Sequence, residues 1–323
     1  MEIGYKLMAE AFDPVDLVEQ AVRAEGAGFD FVEISDHFHP WLETQGHSPF
    51  AWSVLGAVAA RTERVRLLTG VTCPTVRYHP AIIAQAAATL GVLSRGRFTL
   101  GVGSGERLNE HIVGEGFPES PRKRQEMLRE AVEIIRLLWE GGYRSHKGEY
   151  FEVARARIFD LPTEPVPIAV AAGGPKAARL AAEIGDAMFL TEPDQDLIRA
   201  YTQAGGSGPR YGEMMISYAR DEQTAAKAAR ETTRWSVLGW KVMSELPTPE
   251  AFAAASETVR TEDIMKAFPC GPDPDKIAAA ARAYVEAGTD HLVVVNCGPD
   301  PDAFFDFYTD QLDGRLRALP SLP

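Results

Sequence analysis

The stretch Phe29-Asp30-Phe31-Val32-Glu33-Ile34-Ser35-Asp36-His37-Phe38-His39-Pro40-Trp41 decides how this chain is to be read. A largely apolar run of strand length ends at Ile34, and an acid, two imidazoles and an indole follow at once. In α/β folds the side chains just past a buried strand's end face a pocket. Histidine is the side chain whose ordinary pKa lies nearest neutrality. A positioned His37 can therefore take a substrate proton, with Asp36 or a backbone group fixing its tautomer. An Asp-His pair also serves simply to hydrogen-bond a loop, so the rest of the chain must discriminate.

On both sides of this stretch apolar segments alternate with helical ones. Strands are expected at 3–6, 29–34, 65–71, 97–102, 168–171, 187–190, 214–218 and 290–296. Helices are expected at 14–28, 50–61, 79–93, 121–139, 175–184, 194–204 and 301–316. Pro14, Pro80 and Pro175 stand where a helix's first turn tolerates proline. A hairpin is expected near 143–151. A helical excursion over 221–268, whose part from 232 onward is rich in Trp, Met and small residues, reads as a lid or wall. Eight strand-helix units point to a single (β/α)8 TIM barrel over 1–323.

The 323 residues, 45% hydrophobic and 24% charged, are enough for one large core. No apolar run approaches the roughly 20 residues needed to span a bilayer, and Met1-Glu2-Ile3-Gly4 enters a strand directly, so a cytoplasmic protein is expected. Cys73, Cys270 and Cys297 are odd in number and widely spaced, which fits reduced, packed thiols. A net charge of −13 disfavours nucleic acid and anionic membranes as partners and leaves a small-molecule substrate.

In such a barrel the active site lies at the carboxyl ends of the strands, and chemically useful residues collect there. Asp36 and His37 follow the second strand, and Gly70-Val71-Thr72-Cys73-Pro74 ends the third. Gly103-Ser104-Gly105-Glu106 with Asn109 follows the fourth, and Ala171-Ala172-Gly173-Gly174 the fifth. Thr191 follows the sixth and Asn296 the eighth. Glycines beside helix starts let backbone N–H groups approach a phosphate or a planar ring, although glycine also makes ordinary βα turns. Glu106 would sit among backbone donors at the pocket mouth, as an acid whose pKa burial raises or as a helix first-turn carboxylate. The pair His37 and His39 has the spacing of a catalytic metal site in hydrolase barrels, but the other histidines fall mostly in loops or helices, so no metal is expected. A further alternative is a flavin- or deazaflavin-binding barrel that has lost catalysis, against which His37, Trp41 and Glu106 argue.

With these residues assembled, the chain resembles the luciferase-like barrel superfamily. Within it the likeness is to the coenzyme F420-dependent dehydrogenases, the branch that includes the F420-dependent glucose-6-phosphate dehydrogenases. The resemblance is carried by Gly4-Tyr5-Lys6, Ser35-Asp36-His37-Phe38 with Pro40-Trp41, His47-Ser48-Pro49-Phe50 and Pro74-Thr75-Val76-Arg77-Tyr78-His79-Pro80-Ala81. It continues in Leu100-Gly101-Val102-Gly103-Ser104-Gly105-Glu106 with Asn109-Glu110, and in Ala171-Ala172-Gly173-Gly174-Pro175. It implies that F420 is the cofactor, that Asp36 contacts it, and that Gly70-Val71 is a cis peptide forming a bulge behind its ring. Cys73, Ser104, Gly105, Glu106 and Asn109 would belong to the cofactor site, and the backbone of Ala172, Gly173 and Gly174 would hold its phosphate. The resemblance further implies His37 as the base that removes an alcohol proton, Trp41 as the group flanking the reacting centre, and Glu106 as the acid that protonates the reduced deazaflavin. A homodimer is implied on the same ground. A flavin mononucleotide-dependent monooxygenase of the same superfamily is the competing reading.

The departures concern the substrate. The sugar-phosphate enzymes of this branch grip phosphate with two lysines and an arginine, and these positions fall here near Asp194, Ala254 and Ala267. A dianionic phosphate would lose its charge-assisted partners. Trp41, Trp52, Trp235, Trp240 and Phe268, with Thr191, are expected to form a more apolar substrate pocket.

Overall fold

The computed structural model describes residues 1–114 and 116–320. Residues 115 and 321–323, part of the domain expected over 1–323, lie outside the described residues. In chain order the strands are β1 (Glu2–Leu7), β2 (Phe31–Ile34), β3 (Arg66–Thr69), β4 (Phe98–Val102), β5 (Arg144–Lys147), β6 (Glu152–Ala156), β7 (Ile168–Ala171), β8 (Ala187–Leu190), β9 (Arg210–Ile216) and β10 (His291–Asn296). All but β5 and β6 close into a parallel barrel in the order β1-β10-β9-β8-β7-β4-β3-β2. β5 and β6 pair antiparallel as the hairpin expected between the fourth and fifth barrel strands.

The two faces of each barrel strand build two cores, because strand side chains alternate. Ile3, Tyr5, Val32, Ile34, Leu67, Val170, Met188 and Val294 face the helices and join the larger apolar cluster. Phe31, Leu68, Ala169, Ala187, Phe189, Tyr211, Val293 and Val295 point inward and fill the barrel. Short polar residues set the helix starts. Asp13 accepts the Val15 and Asp16 amides ahead of Pro14, and the His79 ring accepts the Ala81 amide ahead of Pro80.

The structure departs from the sequence expectations in four places. β3 stops at Thr69 instead of 71: the Gly70–Val71 peptide is cis, and beyond it Thr72 bridges to Val102 outside the regular strand. β9 starts at Arg210 instead of 214, since the charged Glu213 faces the barrel interior and disguises the strand. A barrel helix, Pro274–Ala287, lies between β9 and β10, capped by Asp273. The last helix is interrupted by a π-helical turn, Tyr308–Leu312. The excursion over 221–268 contains the helices Glu222–Thr233, Trp240–Met243, Pro249–Ala255 and Thr261–Ala267. Among the described residues no helix is long and apolar enough to cross a membrane.

Candidate active site

The residues singled out after β2 meet those after β1 and β4 at the carboxyl end of the barrel. His37 is nearly buried, and its Nδ1 lies 2.8 Å from Glu10 Oε1, an ion-pair contact without the alignment of a full hydrogen bond. Its Nε2 lies 3.9 Å from Glu106 Oε1. Burial disfavours the imidazolium, but the Glu10 carboxylate, with Glu106 behind it, outweighs burial and lifts His37 above the ordinary histidine range. Burial likewise pushes the Glu10 carboxyl up, yet His37 and Lys6 hold it down at about 2. The second Glu10 oxygen accepts from Ser35 Oγ at 3.2 Å. Glu10 therefore orients His37, the part that the sequence reading gave to Asp36 or a backbone group.

Asp36 is committed elsewhere. Its side chain is fully buried and accepts from Trp52 Nε1 at 3.1 Å, Thr72 Oγ1 at 2.8 Å, Tyr78 OH at 3.0 Å and Arg77 Nη2 at 3.1 Å. These donors come from the helix after β2 and the loop after β3, so Asp36 braces the floor of the mouth and presents no exposed carboxylate to it. Arg77 and Tyr78 stand inside the family motif but received no role from the sequence.

Asn109 knits the next layer. Its Oδ1 accepts from the Phe38 and His39 amides at 2.7 and 2.9 Å, and its Nδ2 donates to Glu106 Oε1 at 2.6 Å. Four residues beyond Glu106, Glu110 is the carboxyl that burial, reinforced by Glu106, pushes up to about 7; it accepts the Arg77 amide at 2.8 Å. Gly105 has φ +78°, and a Cβ there would stand 2.7 Å from Cys73 Sγ, so Cys73 is a buried packing thiol directly beneath the loop. At Gly103 a Cβ would meet Val71 Cγ2 at 2.7 Å, which places the Gly103-Ser104-Gly105 backbone flush against the cis Gly70–Val71 segment. Ser104 is partly exposed in that loop.

After β7, the Ala172 amide already donates to the Phe189 carbonyl, completing the β7–β8 ladder, so it is not free for a phosphate. The expected cradle reduces to Gly173 and Gly174. Gly174 caps the helix Pro175–Ile184 without a side-chain hydrogen bond, and a Cβ there would touch nothing within 4 Å. That open helix start suits an anion.

The expected aromatic wall is partly assembled. Trp41 meets the His37 ring edge-on at 4.8 Å, stacks on Trp235 at 4.4 Å and 21°, and contacts Phe252 at 5.0 Å. Leu42, Leu108 and Met243 complete this cluster. Trp52 stands apart from it, in the layer between barrel and helices, bonded to Asp36 and packed on Phe98. Trp240 lies against Gly173 instead, about where a Cβ of that glycine would touch its indole at 3.3 Å. Phe268 packs with Val259, Ile264 and Cys270 in the cluster inside the barrel. Thr191 is exposed just beyond β8, and Asn296 accepts the Tyr218 and Gly298 amides.

His39 packs against Phe38 and His111, while His37 Nδ1 faces Glu10. Among the described residues no three His, Cys, Asp or Glu side chains converge as a metal site requires, so the reading as a metal-dependent hydrolase has no ligand set.

The chain is similar to known proteins over nearly its whole length. A family model described as luciferase-like monooxygenase matches residues 1–291. The F420-dependent glucose-6-phosphate dehydrogenase of Amycolatopsis mediterranei (strain U-32) is 39% identical over 335 aligned positions, covering 99% of each chain. The solved structure of an F420-dependent secondary alcohol dehydrogenase in complex with an F420-acetone adduct superposes with a TM-score of 0.90 at 31% identity, covering 98% of this chain and 99% of that one. The coenzyme F420-dependent tetrahydromethanopterin reductase of Methanopyrus kandleri shares the fold, with a TM-score of 0.79 at 22% identity over 98% of this chain and 99% of its own.

Proposed function

The chain belongs to the luciferase-like family and groups there with the F420-dependent dehydrogenases, and from that premise we propose that it is a coenzyme F420-dependent oxidoreductase acting on a neutral or apolar alcohol or hemiacetal, or the corresponding carbonyl. The observation that carries the reading is the His37 imidazole set between Glu10 and Glu106 beside Trp41 at the barrel mouth. The residues present fit the cofactor: a glycine-lined floor over Val71 for a planar ring, and an open helix start at Gly174 for a phosphate. F420, when bound, supplies a deazaflavin carbon that accepts or returns a hydride.

The chain's own groups handle the protons. Nδ1 of His37 is engaged by Glu10, so Nε2 is the atom that takes the hydroxyl proton. The Glu10 carboxylate stabilises the imidazolium that results, and Trp41 closes one side of the ring against water. Glu106, whose position Asn109 fixes through its Nδ2 hydrogen bond, is the group placed to exchange the second proton. With Nε2 and Oε1 only 3.9 Å apart, base and acid form one unit, so the proton taken from substrate can be returned on the cofactor side without passing through bulk water. Gly70, Val71, Ser104 and Gly105 line the ring side of this site, and Gly173 and Gly174 the phosphate side. In this reading residues 1–323 act as one catalytic domain, with the 221–268 excursion supplying Trp235 to the substrate wall.

Glucose 6-phosphate is disfavoured as substrate. Asp194 spends its carboxylate capping the Asp196 and Leu197 amides, and Ala254 and Ala267 lie in helices without a charge to offer. Cytoplasmic location, on the strength of three free cysteines, and assembly as a homodimer, on resemblance, complete the proposal; light scattering of the purified protein decides the second.

The deciding experiment titrates the purified protein with F420 and, in parallel, with FMN, reading intrinsic tryptophan fluorescence, and then assays neutral secondary alcohols against glucose 6-phosphate. F420 binding with turnover of neutral alcohols is expected. Binding of FMN in preference to F420 would move the chain to the monooxygenases, and faster turnover of glucose 6-phosphate would overturn the substrate assignment.

A further inference from the structure

One layer below the mouth, the barrel interior carries three charged groups that the proton chemistry above does not use. Lys6 from β1, Glu33 from β2 and Glu213 from β9 alternate inward with the apolar filling. The Lys6 ammonium donates to Glu33, to Glu213 and to the Gly70 carbonyl, the last at 3.2 Å. Glu33 is 0% exposed, and its Oε2 is buried without a partner. Glu213 keeps 15% of its side chain exposed. Glu33 also lies directly on Gly70, where a Cβ would stand 1.9 Å from Glu33 Oε1. Gly70 is thus gripped twice, at its carbonyl and at its α-carbon. Val71, next along, supports the Gly103 backbone.

The charges in this layer do not balance. Two carboxylates on one ammonium leave a net negative charge in a space otherwise filled by Phe31, Leu68, Phe189 and Val293, where an uncompensated charge is costly. β3 and β10 bring Leu68 and Val293 to this layer; toward the other end of the barrel Arg66 and His291 pair with Glu2, and at the mouth Glu10 pairs with His37, so neither set offers the two carboxylates a second cation. One added proton restores neutrality, and the fully buried Glu33, with an oxygen that has no partner, is the carboxyl placed to hold it.

We propose that Lys6, Glu33 and Glu213 form a proton-holding clamp: one proton held on Glu33 keeps the layer neutral, and the neutral layer fixes Gly70 and hence the floor on which the cofactor ring rests. Burial and the neighbouring Glu213 both push the Glu33 carboxyl well above the ordinary range, against the pull of Lys6. When the proton leaves, the carboxylates repel, Lys6 can no longer keep all three contacts, and Gly70 loses its grip. These are positioning residues: none takes part in the proton transfer assigned to His37 and Glu106.

The clamp rests on the F420 reading for its consequence but not for its proton, so the test has two arms. Infrared difference spectra of the folded apoproteins at neutral pH, wild type minus Glu33→Gln and wild type minus Glu213→Gln, should each show the carbonyl stretch of a buried protonated carboxyl that the variant has lost, since either exchange leaves one carboxylate per ammonium; the Glu110 carboxyl, pushed up to about 7, contributes to all three proteins and subtracts out. In the second arm, F420 affinity read by tryptophan fluorescence should fall at least tenfold toward high pH in the wild type, and Glu33→Gln should remove that fall. Lys6→Met should weaken binding at every pH. Thermal melts establish folding, and Glu213, being partly exposed, gives the variant that best tolerates exchange. Absence of that band from either difference spectrum, or an unchanged high-pH fall in Glu33→Gln, would overturn the clamp. Failure of F420 to bind at all would sink the cofactor reading alone, and the infrared arm would then decide the proton.

Discussion

Replacing Asn109 by aspartate tests the wiring of the mouth with almost no change of shape. Asn109 is fully buried; its Oδ1 holds the Phe38 and His39 amides, and its Nδ2 donates to Glu106 Oε1 at 2.6 Å. An aspartate keeps an oxygen for both amides but turns the third contact into oxygen against oxygen. If both carboxylates stayed ionised at 2.6 Å, they would repel by about 6 kcal/mol at an effective dielectric constant of about 20. Taking up a proton is cheaper: holding one from about pH 4, where an unfolded carboxyl releases it, to pH 7 costs about 1.4 kcal/mol per unit, or about 4 kcal/mol. Between those limits the folded variant binds one proton more than its unfolded chain, so its stability must fall as pH rises. Asn109→Asp should therefore lie within about 2 kcal/mol of the wild type near pH 4, the margin covering the lost hydrogen bond to a charged group. At pH 7 it should be less stable by about 4 kcal/mol. Urea denaturation of both proteins at half-unit steps from pH 4 to 7.5 measures the difference. A gap that stays flat with pH, or closes as pH rises, would show that Asn109 does not bridge the loop to Glu106 as described.

Three further outcomes follow from the same geometry. Glu10→Gln removes the charge that lifts His37, so the acid limb of turnover, which in the wild type lies above the ordinary histidine range because the base must lose its proton, should move to lower pH; an unmoved limb would separate Glu10 from His37. The same exchange removes a carboxylate held down at about 2, a contribution to stability that is present above the ordinary carboxylate range and lost as pH falls through about 2, so the variant should be less stable at neutral pH. Gly105→Ala forces a side chain into φ +78° and against Cys73 Sγ at 2.7 Å and Glu110 Cγ at 2.9 Å; it should cost about 2–4 kcal/mol, and adding Cys73→Ala should recover only the part due to the sulfur, as chemical denaturation of the single and double variants reads out. Trp235→Ala opens the face of Trp41, so kcat/KM should rise for bulky alcohols relative to small ones; a profile unchanged across an alcohol series would take Trp235 out of the substrate wall.

What the sequence could and could not reveal divides along physical lines. The strand-end rule found His37, Glu106 and Asn109 because residues just past an apolar run are placed by the barrel itself, and the structure brings all three together. The same rule, applied one strand earlier, points to Glu10, a lone carboxyl within Met8-Ala9-Glu10-Ala11-Phe12; it was overlooked because no imidazole or glycine marks that turn. The resemblance makes Asp36 a cofactor contact, yet neighbours along an extended chain point to opposite sides, and its carboxylate is taken up by residues 52, 72, 77 and 78. The tryptophans show the limit of composition. Trp41 and Trp235 meet, whereas Trp52 and Trp240 go to different layers, and nothing in residue type distinguishes them. The start of β9 was hidden for the opposite reason, since a charge that should signal solvent is neutralised by Lys6 inside the barrel.

The residues to which the proposal gives chemistry and those to which it gives the choice of substrate are held differently, and this bears on how far likeness to known enzymes can carry. His37, Glu106 and Asn109 are tied to one another and, through the Phe38 and His39 amides, to the loop after β2, so a change in any of them disturbs the others. Asp194, Ala254 and Ala267 have no such ties: one caps a helix and the others are alanines in short helices of the excursion. At the two exposed alanines a change of residue costs the fold little, because exposed substitutions away from caps and cores usually change stability by only about 0.5 kcal/mol. At 39% identity the reaction is therefore far better constrained than the substrate. Under the proposed function, Asp194, Ala254 and Ala267 offer a phosphate no cation, and the Trp41–Trp235 stack suits a molecule without charge.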